Sequence, residues 1–448
     1  MNINNRKISV IGAVRSGIGA AKLIKNAGGI PFVSDSAEEV KLKGFLSELQ
    51  NEKIEYETGI HTDRVFECDI MVVSPGVPTD APVLKKAKTK DIKLISEIEL
   101  SYHFCQGNII AITGTNGKTT TTSLCGHLFN QCGINTFTAG NIGLAFSEIA
   151  LEVQENEFVA LEISSFQLDL IDKFKPKVAV ILNITPDHLN RYSNSVEEYA
   201  KSKQSIYKNQ DSKDYLVLNK DNDTVIKYLK NHKSRSFYFS LEEKLHDGCF
   251  VDGERVVFNK NDVEIFSCNI SDIKIKGEHN LANVMAVICT AKIFNLENEK
   301  IKKALQTFSG VEHRLELVRE VDGVKFVNDS KATNIDSVWF ALRSFNNPIF
   351  LILGGQDKGN DYEKIKSLVL DSVKKIYAIG TSSEKIFSFF HSYVKVEIKK
   401  TLEEVVISAA NEAREGDVIL LSPACASFDM FDNYEHRGSV FKEAVNKL

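Results

Sequence analysis

Short apolar runs and amphipathic stretches alternate along most of this chain, and the alternation predicts parallel β-sheets flanked by helices. The first run is Lys7-Ile-Ser-Val-Ile11, followed by Gly12 and a helical pattern. Pro31-Phe-Val-Ser34 and Asp69-Ile-Met-Val-Val73 follow, and this first unit closes near Ser96. A second unit opens on Asn108-Ile-Ile-Ala-Ile-Thr113 and continues through Phe158-Val-Ala-Leu-Glu162 and Val178-Ala-Val-Ile-Leu182. Residues 214–275 read as further strands with polar turns, and a helical pattern returns over 280–308. A third unit contains the runs Val324–Val327, Ile349–Leu353, Lys375–Ile379 and Val418–Leu421. The expectation is an α/β chain of three domains: 1–96 Rossmann-like, 97–310 built on a mostly parallel sheet with a phosphate loop, and 311–448 Rossmann-like. The length of 448 residues agrees with three domains at about 150 residues each. Open sheets of this kind bind ligands beyond the C-terminal ends of their strands, so chemistry is sought there.

Composition changes this picture little. Hydrophobic residues make up 43% and charged residues 26%, as in an ordinary globular protein. A formal charge of −5 leaves no basic excess for tracking nucleic acid. The N-terminus lacks the long apolar stretch of a signal peptide and no apolar run is long enough for a membrane span, so a cytoplasmic protein is expected; a monomer is expected separately. The eight cysteines are scattered without a CxxC pair, which fits reduced thiols better than disulfides or zinc.

Candidate chemistry begins at Gly114-Thr115-Asn116-Gly117-Lys118-Thr119-Thr120, between a strand and a helix. A glycine turn lets backbone amides face a phosphate, and the helix N-terminus adds partial positive charge. Lys118 can reach the outer phosphates and the Thr119 hydroxyl can ligate Mg²⁺. Ile112 stands where the general GxxxxGK[ST] pattern has glycine. A second glycine turn, Gly12 to Gly19, resembles a dinucleotide fingerprint with Val14 replacing its second glycine. Asp35 lies where a ribose-binding acid is expected, although a helix cap would explain it equally.

Glu162 ends an apolar strand, where it is either a metal ligand or a partly exposed strand-end residue. His188 follows the strand ending at Leu182 and reads as a ligand, a proton handler or a surface histidine. Lys203, in a polar helical segment, reads by itself as a solvated lysine. Lys358 reads by itself as a loop lysine.

Together these segments resemble the Mur ligases, which build the peptide of bacterial peptidoglycan. The matching pieces are GTNGKTT at 114–120, GNIG at 140–143, LEISSFQLD at 161–169, NITPDHLNRY at 183–192 and GEHNLAN at 277–283. They continue with EHRLE at 312–316, NDSKATN at 328–334, LGGQDKGNDY at 353–362 and SPACASFD at 422–429. SSFQL, the Asp187-His188 and Arg191-Tyr192 pairs, and SPACASFD point to the branch that adds D-glutamate to UDP-N-acetylmuramoyl-L-alanine.

The resemblance implies an ATP-dependent ligase working through an acyl phosphate. It implies that Gly114 to Thr120 cradle the ATP phosphates, with Asn280, His313, Arg314, Asp329 and Lys331 on the nucleotide. It places Thr119 and Glu162 on one Mg²⁺, and His188 and Lys203 on a second. Lys203 matches the family lysine that CO₂ converts to a carbamate. Ser16, Asp35 and Ser36 match the uridine-diphosphate region, and Asn141 the activated end of the substrate. Thr333, Lys358, Ser427 and Phe428 match the glutamate site. Two rivals are a folylpolyglutamate-type or sister Mur ligase with the same core, and a phosphate-loop switch protein. A uridine-diphosphate domain before the loop favours a Mur ligase.

Overall fold

The computed structural model describes residues 1–187, 189–229, 232–357 and 359–448. Two compact units result: Met1–Lys274 with Asn280–Phe308, and Ile275–His279 with Ser309–Leu448. The first unit carries two sheets and the second carries one.

The N-terminal sheet is wholly parallel, in the spatial order Glu55–Thr58, Ile30–Asp35, Lys7–Ile11, Ile70–Val73, Lys93–Ser96. Chain order reverses between Lys7–Ile11 and Ile70–Val73, which opens a crevice beyond their C-terminal ends. Gly12 and Ser74 sit at those two ends. A Cβ on Gly12 would lie 2.8 Å from Ser74 Cβ, and one on Gly17 would lie 1.8 Å from Gly12 O. The helix Arg15–Asn26 can therefore pack onto the turn only with glycine at both positions.

The central sheet has the phosphate-loop strand Asn108–Thr113 between Phe158–Glu162 and Val178–Ile181. Thr136–Gly140 forms one edge, and Tyr215–Asn219, Arg235–Ser240 and Gly248–Asp252 extend the sheet in parallel on the other side. Two antiparallel strands, Arg255–Lys260 and Val263–Asn269, complete it. Phe158–Glu162 and Val178–Ile181 are buried throughout, as expected of strands covered on both faces. Their apolar continuity is what brings the polar residues at their ends to one place.

In the second unit the strands Val324–Asn328, Val418–Leu421, Ile349–Gly354, Val373–Ile379 and Lys395–Ile398 are parallel neighbours in that order. Glu316–Val321 pairs antiparallel with Val324–Asn328. The two strand ends at Asn328 and Leu421 lie side by side, so 328–334 and 422–429 emerge from one edge. No helix among the described residues is long and apolar enough to cross a membrane.

Candidate active site

The phosphate loop leaves Thr113 and enters the helix Lys118–Gln131 through Gly117, whose φ is +84°. A Cβ on Gly117 would sit 2.4 Å from Asn283 Oδ1, so a side chain is excluded both by backbone conformation and by space. Asn183 holds the loop from the strand that follows. Its Oδ1 accepts from Thr115 N at 3.1 Å and Asn116 N at 2.9 Å, and its Nδ2 donates to Asn116 O at 3.1 Å. Thr115 Oγ1 donates to Thr185 O and accepts from Thr185 N, both at 3.0 Å. Two amides that a simple cradle would offer to phosphate are therefore turned towards Asn183.

Three charged side chains converge on this loop. Lys118 Nζ donates to Gly114 O at 2.9 Å and Thr115 O at 2.8 Å. Lys203 Nζ donates to the same Gly114 carbonyl at 2.8 Å and lies 4.7 Å from the centre of the Tyr199 ring. Lys203 is 1% exposed, so the solvated lysine expected from its polar surroundings is corrected. The helix Val196–Gln204 buries Tyr199, Ala200, Lys203 and Gln204 while Lys201 on its outer face pairs with Glu197 and Glu198. Burial first, and then the charge of Lys118, push the Lys203 ammonium well below the usual lysine range, against the pull of Asp187, Glu162 and Asp169.

Glu162 is 1% exposed, which removes the reading as a partly exposed strand end. Its Oε1 accepts from Asn141 Nδ2 at 3.0 Å, and its Oε2 is buried without a hydrogen-bond partner among the described residues. An orphaned carboxylate oxygen is costly unless a cation or donor completes it. With Thr119 buried in the first turn of the adjacent helix, the donor set fits a hard divalent cation. His188 lies outside the described residues.

On the N-terminal sheet, Asp35 fixes the glycine turn. Its Oδ2 accepts from Ala13 N at 2.7 Å and its Oδ1 from Ala37 N at 2.8 Å. Ser16 is half-buried in the first helical turn and Ser36 is exposed beside Asp35. Arg15 Nη1 donates to Gly143 O at 3.1 Å, joining this turn to the GNIG segment.

In the second unit, His313, Asp329 and Lys331 gather at the end of Val324–Asn328. His313 Nδ1 is 2.9 Å from Asn328 Nδ2, and Lys331 N donates to His313 O at 3.1 Å. Asp329 is fully buried, accepting from Leu315 N at 3.2 Å and Ser422 Oγ at 2.9 Å. Burial raises its carboxyl to about 6, against the charge of Arg314. Arg314 Nε is buried without a hydrogen-bond partner among the described residues, a donor left for a ligand. Lys331 Nζ lies 5.2 Å from the centre of the Tyr434 ring. Arg437, 1% exposed, locks the two segments together through Ser330 O at 2.7 Å and Cys425 O at 3.1 Å. Gln356 and Ala426 exchange backbone hydrogen bonds of 2.8 and 3.1 Å, so the Gly354-Gly355 loop meets the segment bearing buried Ser427 and exposed Phe428. Thr333 is half-buried in the turn after Lys331, and Lys358 lies outside the described residues.

The first unit thus brings together Gly114 to Thr120, Asn141, Glu162 and Lys203, with Asn280 buried on the helix Glu278–Ile293. The second gathers His313, Arg314, Asp329, Lys331, Ser427 and Phe428. Motif reading gave no role to Asn183, Tyr199, Asn283 or Arg437. Tyr199 was legible from its i, i+4 spacing to Lys203, whereas the partners of Asn183 and Arg437 lie 67 and 107 residues away.

Known protein families match along most of the chain. Residues 7–83 match the MurD N-terminal domain, 112–291 the Mur ligase middle domain, and 313–425 the Mur ligase glutamate ligase domain. A UDP-N-acetylmuramoylalanine–D-glutamate ligase of Koribacter versatilis is 42% identical over 449 residues, covering 100% of this chain and 99% of the relative. One of the same name from Chloroherpeton thalassium is 42% identical over 463 residues with the same coverage. Among solved structures, the UDP-N-acetylmuramate-alanine ligase MurC of Thermotoga maritima superposes with a TM-score of 0.65 at 18% identity, over 99% of this chain and 100% of that one, a likeness of fold. With this identity sustained over its full length, the chain belongs to the Mur ligase family.

Proposed function

We propose that this protein joins D-glutamate to UDP-N-acetylmuramoyl-L-alanine at the expense of ATP, as a cytoplasmic step of peptidoglycan precursor synthesis. The observation that carries the chemistry is the cluster of buried Glu162 and Lys203 with half-buried Lys118 around the phosphate loop, with one carboxylate oxygen of Glu162 unpartnered among the described residues. Residues 1–96 take the uridine diphosphate, 97–310 the ATP, and 311–448 the amino acid.

In the first step an oxygen of the substrate carboxylate attacks the γ-phosphorus, ADP leaves and an acyl phosphate forms. In the second, the glutamate amine attacks the acyl carbon, and phosphate departs with the former carboxylate oxygen. The amine gives up a proton and the amide remains. Such phosphoryl transfer depends on positioning and charge neutralisation. Lys118 moves from the carbonyls of Gly114 and Thr115 to the phosphates, while Gly117, Thr119 and Thr120 present the helix N-terminus. Thr119 and Glu162 would hold Mg²⁺, which when bound neutralises phosphate charge.

Lys203 supports the carbamate reading, because only an unprotonated amine attacks CO₂, and burial favours that form. The neutral amine bonds to the CO₂ carbon as one carbon–oxygen π bond opens onto oxygen, the nitrogen loses one proton, and the resulting carbamate anion would hold a second Mg²⁺ together with His188. Asn141, bonded to Glu162, faces the activated carboxyl end. Asn280 contacts adenine, and His313, Arg314, Asp329 and Lys331 serve the nucleotide. Ser16, Asp35 and Ser36 hold the uridine diphosphate, with Asp35 acting through the turn it fixes. Thr333, Lys358, Ser427 and Phe428 receive the glutamate.

The test is an amino-acid acceptor screen with phosphate release as readout. Release is expected only with ATP, UDP-N-acetylmuramoyl-L-alanine and D-glutamate together. Equal release without either acceptor or uridine substrate removes the ligase reading, and a preference for another amino acid removes D-glutamate.

A further inference from the structure

Arg191, within a motif used above only for kinship, joins the central sheet's flanking segment to the N-terminal sheet. It lies in the 3₁₀ turn Leu189–Tyr192, just after Asp187, on the segment that follows the central strand Val178–Ile181. Its guanidinium crosses to the N-terminal sheet and forks over the turn Ser74-Pro75-Gly76-Val77. Nη1 donates to Pro75 O at 2.9 Å and Nη2 to Val77 O at 2.8 Å. The guanidinium carbon lies 4.3 Å from the centre of the Phe166 ring, which stacks on Tyr192 at 6.3 Å with an interplanar angle of 13°. The turn it grips is the one that meets Gly12, with Ser74 Oγ donating to Gly12 O at 3.3 Å. A continuous mechanical link therefore runs from the uridine-side glycine turn, through 74–77 and Arg191, to the loop beside the phosphate-transfer cluster.

We propose that Arg191 is a positioning residue that sets the separation between the uridine-binding turn and the loop beside the reacting carboxyl, so that a substrate spanning both is held in register. The inference rests on the function proposed above. A planar guanidinium satisfies two carbonyls of one turn with fixed geometry, whereas a lysine ammonium is a single flexible point charge. Neither accepting carbonyl carries charge, so the fork supplies orientation more than electrostatic stabilisation. A reacting centre displaced by about 1 Å can cost roughly 100-fold in rate.

The test compares wild type with Arg191→Lys and Arg191→Ala, measuring KM for each substrate, kcat, Tm and inhibition by free UDP. The expected result for both variants is a loss on the order of 10-fold or more in kcat/KM for the uridine substrate. KM for ATP and the inhibition constant of UDP should each stay within about threefold, because UDP occupies only one end of the span. Arg191→Lys tests the same point should Arg191→Ala not fold. An equal loss of affinity for UDP and for the full substrate would overturn the proposal, since the arginine would then act only within the uridine turn. So would unchanged kcat/KM, or parallel losses for ATP and uridine substrate with a collapsed Tm. Absence of ligase turnover in the wild type would instead overturn the function on which the inference rests.

Discussion

Replacing Asn183 by alanine isolates the scaffold behind the phosphate loop. The substitution removes three hydrogen bonds, from Thr115 N, from Asn116 N and to Asn116 O, spanning 2.9 to 3.1 Å. Thr115 N retains the main-chain carbonyl of residue 183 at 3.0 Å, and half-buried Asn116 can be rehydrated. At about 0.5–1.5 kcal/mol net per bond, discounted for those replacements, the loop loses roughly 1.5–3 kcal/mol of preorganisation. That free energy must then come from ATP binding, so the Kd and KM for ATP should rise roughly 10- to 100-fold. The KM for the uridine substrate, whose proposed site lies at another sheet, should change much less. Asn183→Asp separates local stability from binding. It keeps the acceptor for both amides but loses the donor to Asn116 O and sets an anion beside the triphosphate. It should therefore bind ATP more weakly than Asn183→Ala. Nucleotide titration by calorimetry, alongside steady-state kinetics, decides the matter. An ATP Kd for Asn183→Ala within twofold of wild type would show that Asn183 does not preorganise the loop, as would Asn183→Asp binding ATP as well as wild type.

Other outcomes follow from the same geometry. Lys203→Ala should lose nearly all activity and recover part of it with a short carboxylic acid that restores the anion; wild-type activity in this variant excludes the carbamate. Glu162→Gln should fold normally, because it removes a buried charge with an unpartnered oxygen, yet lose about 100-fold or more in turnover. A magnesium titration checks this, and activity within threefold at low Mg²⁺ contradicts it. Burial raises Asp329 from an ordinary value of 3.8 to about 6 in the folded chain. Its contribution to stability is thus present below about 4 and lost as pH rises through about 6, because the unfolded state gives up the proton first. The loss is on the order of 3 kcal/mol. Asp329→Asn should therefore gain in Tm on wild type between those pH values; a constant difference from pH 4 to 7 argues against the raised carboxyl.

Much of this architecture was legible in the sequence because central parallel strands are apolar on both faces. Lys7–Ile11, Asn108–Thr113, Phe158–Glu162 and Val418–Leu421 appear as predicted. Apart from the five strands within 214–275, which were legible only as a group, the strands not read, Glu55–Thr58, Lys93–Ser96, Thr136–Gly140, Glu316–Val321 and Lys395–Ile398, all lie at sheet edges. Edge strands cover less apolar surface and carry polar residues, as Glu55-Tyr-Glu-Thr58 shows, so period and hydrophobicity mark them weakly. The site divides in a similar way. The phosphate loop and Glu162 are local features of strand ends and could be read directly. Lys203 could not, because its segment is rich in charge and only the partners of Tyr199 and Ala200 reveal which face is buried. Asn183, Arg191 and Arg437 act through backbone carbonyls and amides distant in sequence, and backbone partners leave no residue-type signature.

The proposed mechanism uses ATP to activate the substrate carboxyl as an acyl phosphate, a mixed anhydride that the amine then attacks. It is tested most directly by labelling both carboxylate oxygens of the alanyl end of UDP-N-acetylmuramoyl-L-alanine with heavy oxygen and analysing the released phosphate by mass spectrometry. One labelled oxygen should pass into phosphate for each amide formed. Phosphate free of label, with amide still produced, would exclude the acyl phosphate.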